Sequence, residues 1–165
     1  MVFDAFKLIV FPGLMAYAAS SDLLTMTIPN RISIALCAGF LVLALASGMD
    51  GGTTMMHIAA GLIVLGIAFC MFACGWIGGG DAKLAAATAL WMGFPNLLEY
   101  LIYAGLFGGI LTLVLLQFRM LPLPATAARQ HWVLRLHSHD SGVPYGIALA
   151  ASALIVYPHT VWMVS

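Results

Sequence analysis

Apolar residues fill most of the chain and form six long runs separated by polar breaks. The runs cover about residues 3–21, 32–49, 57–77, 82–98, 99–118 and 142–164. They are continuously hydrophobic, and about 20 such residues in a helix cross the roughly 30 Å hydrocarbon core of a bilayer. We therefore predict an all-α integral membrane protein with six transmembrane helices, built as a single domain over residues 1–165.

Two of these segments depart from the general pattern. Residues 119–141 form one long hydrophilic connection, which carries three arginines and three histidines. The fourth run is short, because its roughly fifteen apolar residues make only about 22 Å of helix. A span of this length needs a locally thin bilayer, or other helices that shield its ends.

Composition fixes the surroundings of the protein. Hydrophobic residues make up 63% of the chain and charged residues only 7%, and the mean hydropathy is +1.06. A water-soluble domain of this composition has too little polar surface to cover itself, so the expected surrounding is the lipid bilayer. The formal net charge is zero and the sequence has neither a basic patch nor zinc-finger spacing, which argues against nucleic acid binding.

The basic residues are distributed unequally between the two sides of the predicted bundle. One side carries Lys7 alone, and the other carries Arg31, Lys83, Arg119, Arg129 and Arg135. Cytoplasmic segments of membrane proteins carry an excess of Lys and Arg, so we predict that the second side is cytoplasmic. The connection 119–141 and two acids, Asp22 and Asp81, then lie at this cytoplasmic face.

Asp22 and Asp81 are the candidate catalytic residues. Asp22 follows the first apolar run, and Asp81 follows Gly78, Gly79 and Gly80. A carboxylate at a membrane boundary is costly unless it is hydrated, paired or functional. Two carboxylates in one site can hold a single proton, so that one draws a proton from water while the other polarises a carbonyl. This is the chemistry of aspartic proteases, and the glycines would let a loop backbone approach another segment closely.

The same residues have simpler interpretations. Asp22 and Asp81 stand where aspartate commonly caps a helix end. The three histidines and Asp140 within residues 131–140 are of metal-ligand type, but their spacing fits no compact metal site, and a hydrated loop accounts for them. We therefore predict no metal and no cofactor, and the role of residues 131–140 stays open.

Three segments of the sequence resemble the prepilin peptidases, the type IV leader peptidase family of GxGD membrane aspartic proteases. Asp22 followed by Ile28-Pro29-Asn30 resembles the family's first aspartate motif, and Gly78-Gly79-Gly80-Asp81-Ala82-Lys83-Leu84 resembles its GxGD motif. Pro144-Tyr145-Gly146 resembles its late conserved segment. The segments fall in the family's order along nearly the whole chain, and the most similar form is the short one that accompanies Flp/Tad pili.

This resemblance implies a multi-pass aspartic endopeptidase of the bacterial inner membrane. Such enzymes remove the leader peptide of type IV prepilins and pilin-like precursors at the cytoplasmic face. Asp22 and Asp81 carry over as the catalytic pair. The residues that carry over as motif backbone or support are Gly78, Gly79, Gly80, Lys83, Ile28, Pro29 and Asn30.

The chain also departs from the longer members of that family. It lacks their cysteine-rich cytoplasmic insertion, and these longer members also methylate the new pilin N-terminus, so we expect peptidase activity alone. Two alternatives remain: a GxGD protease for another membrane substrate such as preflagellin, and a non-enzymatic membrane scaffold or transporter subunit. A transporter subunit needs polar residues near mid-membrane, and the apolar runs contain hardly any. The natural substrate, the oligomeric state and the resting distance between the two aspartates stay open.

Overall fold

The computed structural model describes residues 2–124 and 126–164. Its elements are α1 (Val2–Thr25), α2 (Asn30–Ala46), α3 (Gly51–Ala73), α4 (Gly79–Met120), α5 (His131–His137), α6 (Tyr145–Val156) and α7 (Val161–Val164), with 3-10 turns at Ala127–Arg129 and Tyr157–His159. These ranges contain no strand, so the predicted all-α class is confirmed. Residues 1 and 165 of the predicted domain and residue 125 of the predicted connection lie outside the described residues.

The helices have the surface of a membrane protein. The segments Phe6–Thr25, Gly51–Ala73 and Gly79–Met120 are long and apolar enough to cross a bilayer, and Asn30–Ala46 and Tyr145–His159 are shorter apolar helices. Large apolar side chains such as Leu45 and Ile67 are exposed. Exposing such side chains to water costs roughly 25 cal/mol per Å², whereas lipid tails accept them. The chain is therefore a membrane protein, and six crossings stay a prediction.

The observed helix ends differ from the predicted spans. Helix α1 continues to Thr25, so Asp22 lies in its last turn and not after it. Helix α3 begins at Gly51, six residues before the predicted start, because Asp50 caps it: Asp50 Oδ1 accepts the backbone N–H groups of Gly52 and Thr53, at 2.8 and 3.2 Å. The predicted hydrophilic connection 119–141 contains the short helix α5.

Helix α4 is broken at Gly93, which has φ 62° and ψ 174°. Both of its ends lie at the same end of the bundle. Asp81 in its first turn interacts electrostatically with Asp22, and Arg119 in its last turn donates to the carbonyl of Leu136 in α5. Helix α5 is in turn tied to the end of α1 that carries Asp22. The chain therefore reverses direction at Gly93, and α4 consists of a first arm, residues 79–92, and a second arm, residues 94–120.

The reversal corrects the predicted boundary between residues 98 and 99. The break comes earlier, at Gly93, because only a residue without Cβ fits there: a Cβ on Gly93 would lie 2.6 Å from the ring of His57. Pro95 follows and lacks an N–H group, so it cannot continue the hydrogen-bond ladder. The first arm, residues 79–92, spans only roughly 21 Å as a helix.

Side chains from distant helices satisfy the carbonyl groups at this break. His57 Nδ1 lies 2.9 Å from the Leu90 carbonyl oxygen, and Trp162 Nε1 donates to the Trp91 carbonyl at 2.8 Å. The His57 and Trp162 rings also pack against each other and against Phe40. Because buried carbonyls without partners are costly, these hydrogen bonds stabilise the reversal and join α3, α4 and the C-terminal segment.

Candidate active site

Asp22 is buried at the end of α1, with 5% of its surface exposed. Its Oδ2 accepts a hydrogen bond of 2.7 Å from the backbone N–H of Gly146, near the start of α6. The first residues of a helix have N–H groups without partners inside the helix, so this donor is available to a carboxylate. Asp22 is therefore held by the last large helix of the bundle.

Gly146 permits this contact because it has no side chain. A Cβ at Gly146 would lie 2.8 Å from Asp22 Oδ2 and 2.7 Å from Ile28 Cδ1, which is closer than ordinary van der Waals contact. The sequence identified Gly146 only as part of a segment that resembles a family motif. A backbone N–H leaves no trace in residue type, so its hydrogen bond to Asp22 was not predicted.

Asp81 lies in the first turn of α4 and is partly buried. It follows the turn that joins α3 to α4, and its carboxylate lies back against Gly78, where a Cβ would be 3.0 Å from Asp81 Oδ2. Its charge interacts with that of Asp22. The structure therefore brings the two predicted acids together at one end of the bundle, although they are far apart in sequence.

The two other glycines of the predicted motif contact different parts of the protein. A Cβ at Gly79 would lie 3.3 Å from the ring of Phe72 in α3, and a Cβ at Gly80 would lie 3.2 Å from Cβ of Ile28. The glycines thus allow α4 to begin close to α3 on one side and close to the α1–α2 connection on the other. These contacts fix the position of Asp81.

The supporting residues of the first motif form the connection between α1 and α2. Ile28 is buried, and Pro29 is extended at φ −61° and ψ 138°, so that α2 begins at Asn30. The amide oxygen of Asn30 accepts a hydrogen bond of 3.0 Å from Lys83 Nζ. Lys83 therefore fastens the start of α2 to the start of α4.

The long connection 119–141 packs beside this site without contributing an acid to the pair. Arg119 is buried and donates to the carbonyl groups of Leu136, Ser141 and Gly142, at 2.8–2.9 Å. His137 Nε2 lies 2.9 Å from the Leu121 carbonyl oxygen. Within the described residues, no group of three His, Cys, Asp or Glu side chains is placed to hold a metal.

These features define a helical membrane protein with a pair of interacting carboxylates at one end of its bundle. The chain matches the model of the type IV leader peptidase family over residues 9–113, which is more than half of its length and includes Asp22 and Asp81. No curated protein and no solved structure matches the chain significantly. The chain belongs to the type IV leader peptidase family and is a membrane peptidase.

Proposed function

We propose that this protein is an aspartic endopeptidase that removes the leader peptide from type IV prepilins and pilin-like precursors. The observation that carries the proposal is the pairing of Asp22 with Asp81 at helix ends, in a family of leader peptidases. The resemblance to the short form of the family favours precursors of the Flp type. Because the chain lacks the insertion found in longer members, the proposed activity is cleavage without methylation.

The two carboxylates act on one water molecule. The ionised carboxylate accepts a proton from the water, while the protonated one donates its proton to the oxygen of the scissile carbonyl. The hydroxide adds to the carbonyl carbon and gives a gem-diol. This intermediate collapses when one hydroxyl returns its proton to the carboxylate that became ionised in the first step, the C–N bond breaks, and the leaving amine takes the proton that the other carboxyl group accepted from water. The backbone N–H of Gly146 holds Asp22 in place during these steps.

The charge distribution supports a cytoplasmic site in the bacterial inner membrane. Arg135 donates to the Leu24 carbonyl beside Asp22, and Lys83 and Arg119 also lie at this end of the bundle. Lys7 lies elsewhere, where its carbonyl accepts a hydrogen bond from the hydroxyl of Tyr157. Because basic residues are enriched on the cytoplasmic side of membrane proteins, the end that carries Asp22 and Asp81 faces the cytoplasm.

Cleavage of a co-expressed Flp-type prepilin tests the proposal, with the product identified by gel mobility and mass. We expect the wild-type protein to shorten the precursor, and Asp22→Asn and Asp81→Asn each to abolish cleavage at matched membrane levels. Asp140→Asn is the control, because it makes the same substitution at an exposed position of the same connection that packs beside the site. If Asp22→Asn and Asp81→Asn each still cleave the precursor, the two acids are not catalytic and the interpretation as helix caps applies.

Further precursors separate the remaining alternatives. If the protein cleaves a preflagellin but no prepilin, the proposed catalytic pair stands and the proposed substrate is wrong. If the wild-type protein cleaves neither kind of precursor in membranes that contain it at normal levels, the proposed substrate class is wrong.

A further inference from the structure

The connection between α1 and α2 carries Ile28, whose aliphatic side chain lies between Gly80 and Gly146. Ile28 lies against Gly80, the residue before Asp81: a Cβ on Gly80 would be 3.2 Å from Ile28 Cβ and within 3.6 Å of its backbone N and O atoms. At its other end, Ile28 Cδ1 reaches Gly146, which donates its N–H to Asp22. Ile28 thus spans the gap between the start of α4 and the start of α6.

The connection that carries Ile28 is itself held in a defined conformation. Ser21 Oγ donates to the Thr27 carbonyl at 2.9 Å, and the hydroxyls of Thr25 and Thr27 lie 2.7 Å apart. Met26 has a φ of 55°, a left-handed conformation that is uncommon for residues other than glycine. Neighbouring contacts must maintain such a conformation, so the Ile28 side chain is presented to the two glycines by a constrained loop.

We propose that Ile28 is a positioning residue that sets the separation of the Asp22 and Asp81 carboxylates. This inference rests on the proposed function and adds that position 28 requires a side chain as long as that of isoleucine. The distance from Cβ, against Gly80, to Cδ1, against Gly146, determines how closely the first turn of α4 approaches the first turn of α6. A shorter side chain leaves this gap unfilled, so that the two carboxylates move relative to each other.

The first test is the activity of a graded series at Ile28. We expect Ile28→Ala to lower kcat roughly a hundredfold, the loss that a displacement of about 1 Å can cause in an active site, with little change in KM for the precursor. Ile28→Val removes only Cδ1 and should lie between Ala and the wild type, and Ile28→Leu should restore part of the rate. The control is Ile34→Ala, the same substitution at a largely exposed position of α2.

The pH–activity profile separates positioning from ordinary packing. The two acids titrate as a pair, and their coupling depends on their distance, so a changed separation should alter the spacing of the two limbs of the profile. A lower kcat with the limbs at the wild-type positions would overturn the proposal, as would a rise in KM at unchanged kcat, because Ile28 would then contact the substrate.

Cross-linking provides a readout that needs no activity. In a background with Cys37, Cys70 and Cys74 replaced by alanine, Asp22→Cys and Asp81→Cys are combined and the rate of oxidative or short bis-maleimide cross-linking is measured with Ile28 and with Ile28→Ala. The proposal expects a severalfold change in rate, and an unchanged rate overturns it. If cross-linking depends on Ile28 but the wild type cleaves no precursor, the proposed function fails and the positioning role stands.

Discussion

Replacing Gly146 with alanine should disable the site by displacing Asp22. The added Cβ would lie 2.8 Å from Asp22 Oδ2 and 2.7 Å from Ile28 Cδ1. Because carbon atoms in contact are normally about 3.5–4.0 Å apart, the contact with Ile28 alone requires α6 or the neighbouring side chains to move by roughly 0.8–1.3 Å. Any such movement lengthens or bends the 2.7 Å hydrogen bond from the Gly146 N–H.

The size of the effect follows from this displacement. A shift of about 1 Å in a catalytic group can lower the rate roughly a hundredfold, whereas one extra methyl group in a packed interior typically costs about 1–3 kcal/mol of stability. We therefore expect Gly146→Ala to lower kcat by about two orders of magnitude while much of the protein remains folded. Gly146→Ala should therefore lose most of its activity while its unfolding temperature is lowered only modestly.

The assay is cleavage of a purified prepilin in detergent or nanodiscs, with thermal unfolding measured on the same preparations. Gly109→Ala is the matched control, since a Cβ at Gly109 meets nothing within 4 Å and should leave both measurements near wild type. If Gly146→Ala retains the wild-type kcat, the contact with Asp22 does not position the carboxylate, and the reasoning fails.

Two further predictions concern groups away from the acids. The pKa of Asp50 lies below its ordinary value because the Thr53 side chain and the N–H groups of Thr53 and Gly52 bond its carboxylate. Asp50 therefore stabilises the folded protein at pH values above its unfolded-state pKa, and this stabilisation is lost as the pH falls through its folded-state pKa. The unfolding temperatures of the wild type and Asp50→Ala should therefore converge in acid. A difference that stays constant with pH would contradict this prediction. His57→Phe leaves the Leu90 carbonyl without its partner and should lower the unfolding free energy by about 1–3 kcal/mol, measured by denaturation in mixed micelles; an unchanged value would mean that this hydrogen bond does not stabilise the reversal.

The positions of both acids could be predicted because charge is rare in this chain. Asp22 and Asp81 interrupt long apolar runs, and the glycines before Asp81 mark a close backbone approach, so the residue types alone pointed to one site. Their electrostatic interaction in the folded protein is consistent with that prediction. Their catalytic role stays a prediction until the substitutions are made.

The sequence predicts the boundary within α4 too far along the chain, because the local helix-breaking residues are misleading. Pro95 and Asn96 are the polar and helix-breaking residues of this region, and they suggested a boundary near Leu98. The break occurs at Gly93, where the space for the turn is defined by the ring of His57 in another helix. Sequence around one helix end does not contain information of this kind, since it depends on which distant side chains pack there.

The short first arm bears on the surroundings of Asp81, the partly buried acid of α4. As a helix, residues 79–92 span roughly 21 Å, less than the roughly 30 Å hydrocarbon core, so an arm that turns near one membrane surface ends below the other. The first N–H groups of a helix have no partners within the helix, and at membrane depth such groups are tolerated only where protein or a water-filled cavity covers them. Phe72 lies against Gly79 and Ile28 against Gly80 in this way. The contacts that shield the glycine backbone therefore also place Asp81 near Asp22. The same arrangement of the helix ends thus covers the backbone in the membrane and pairs the two carboxylates.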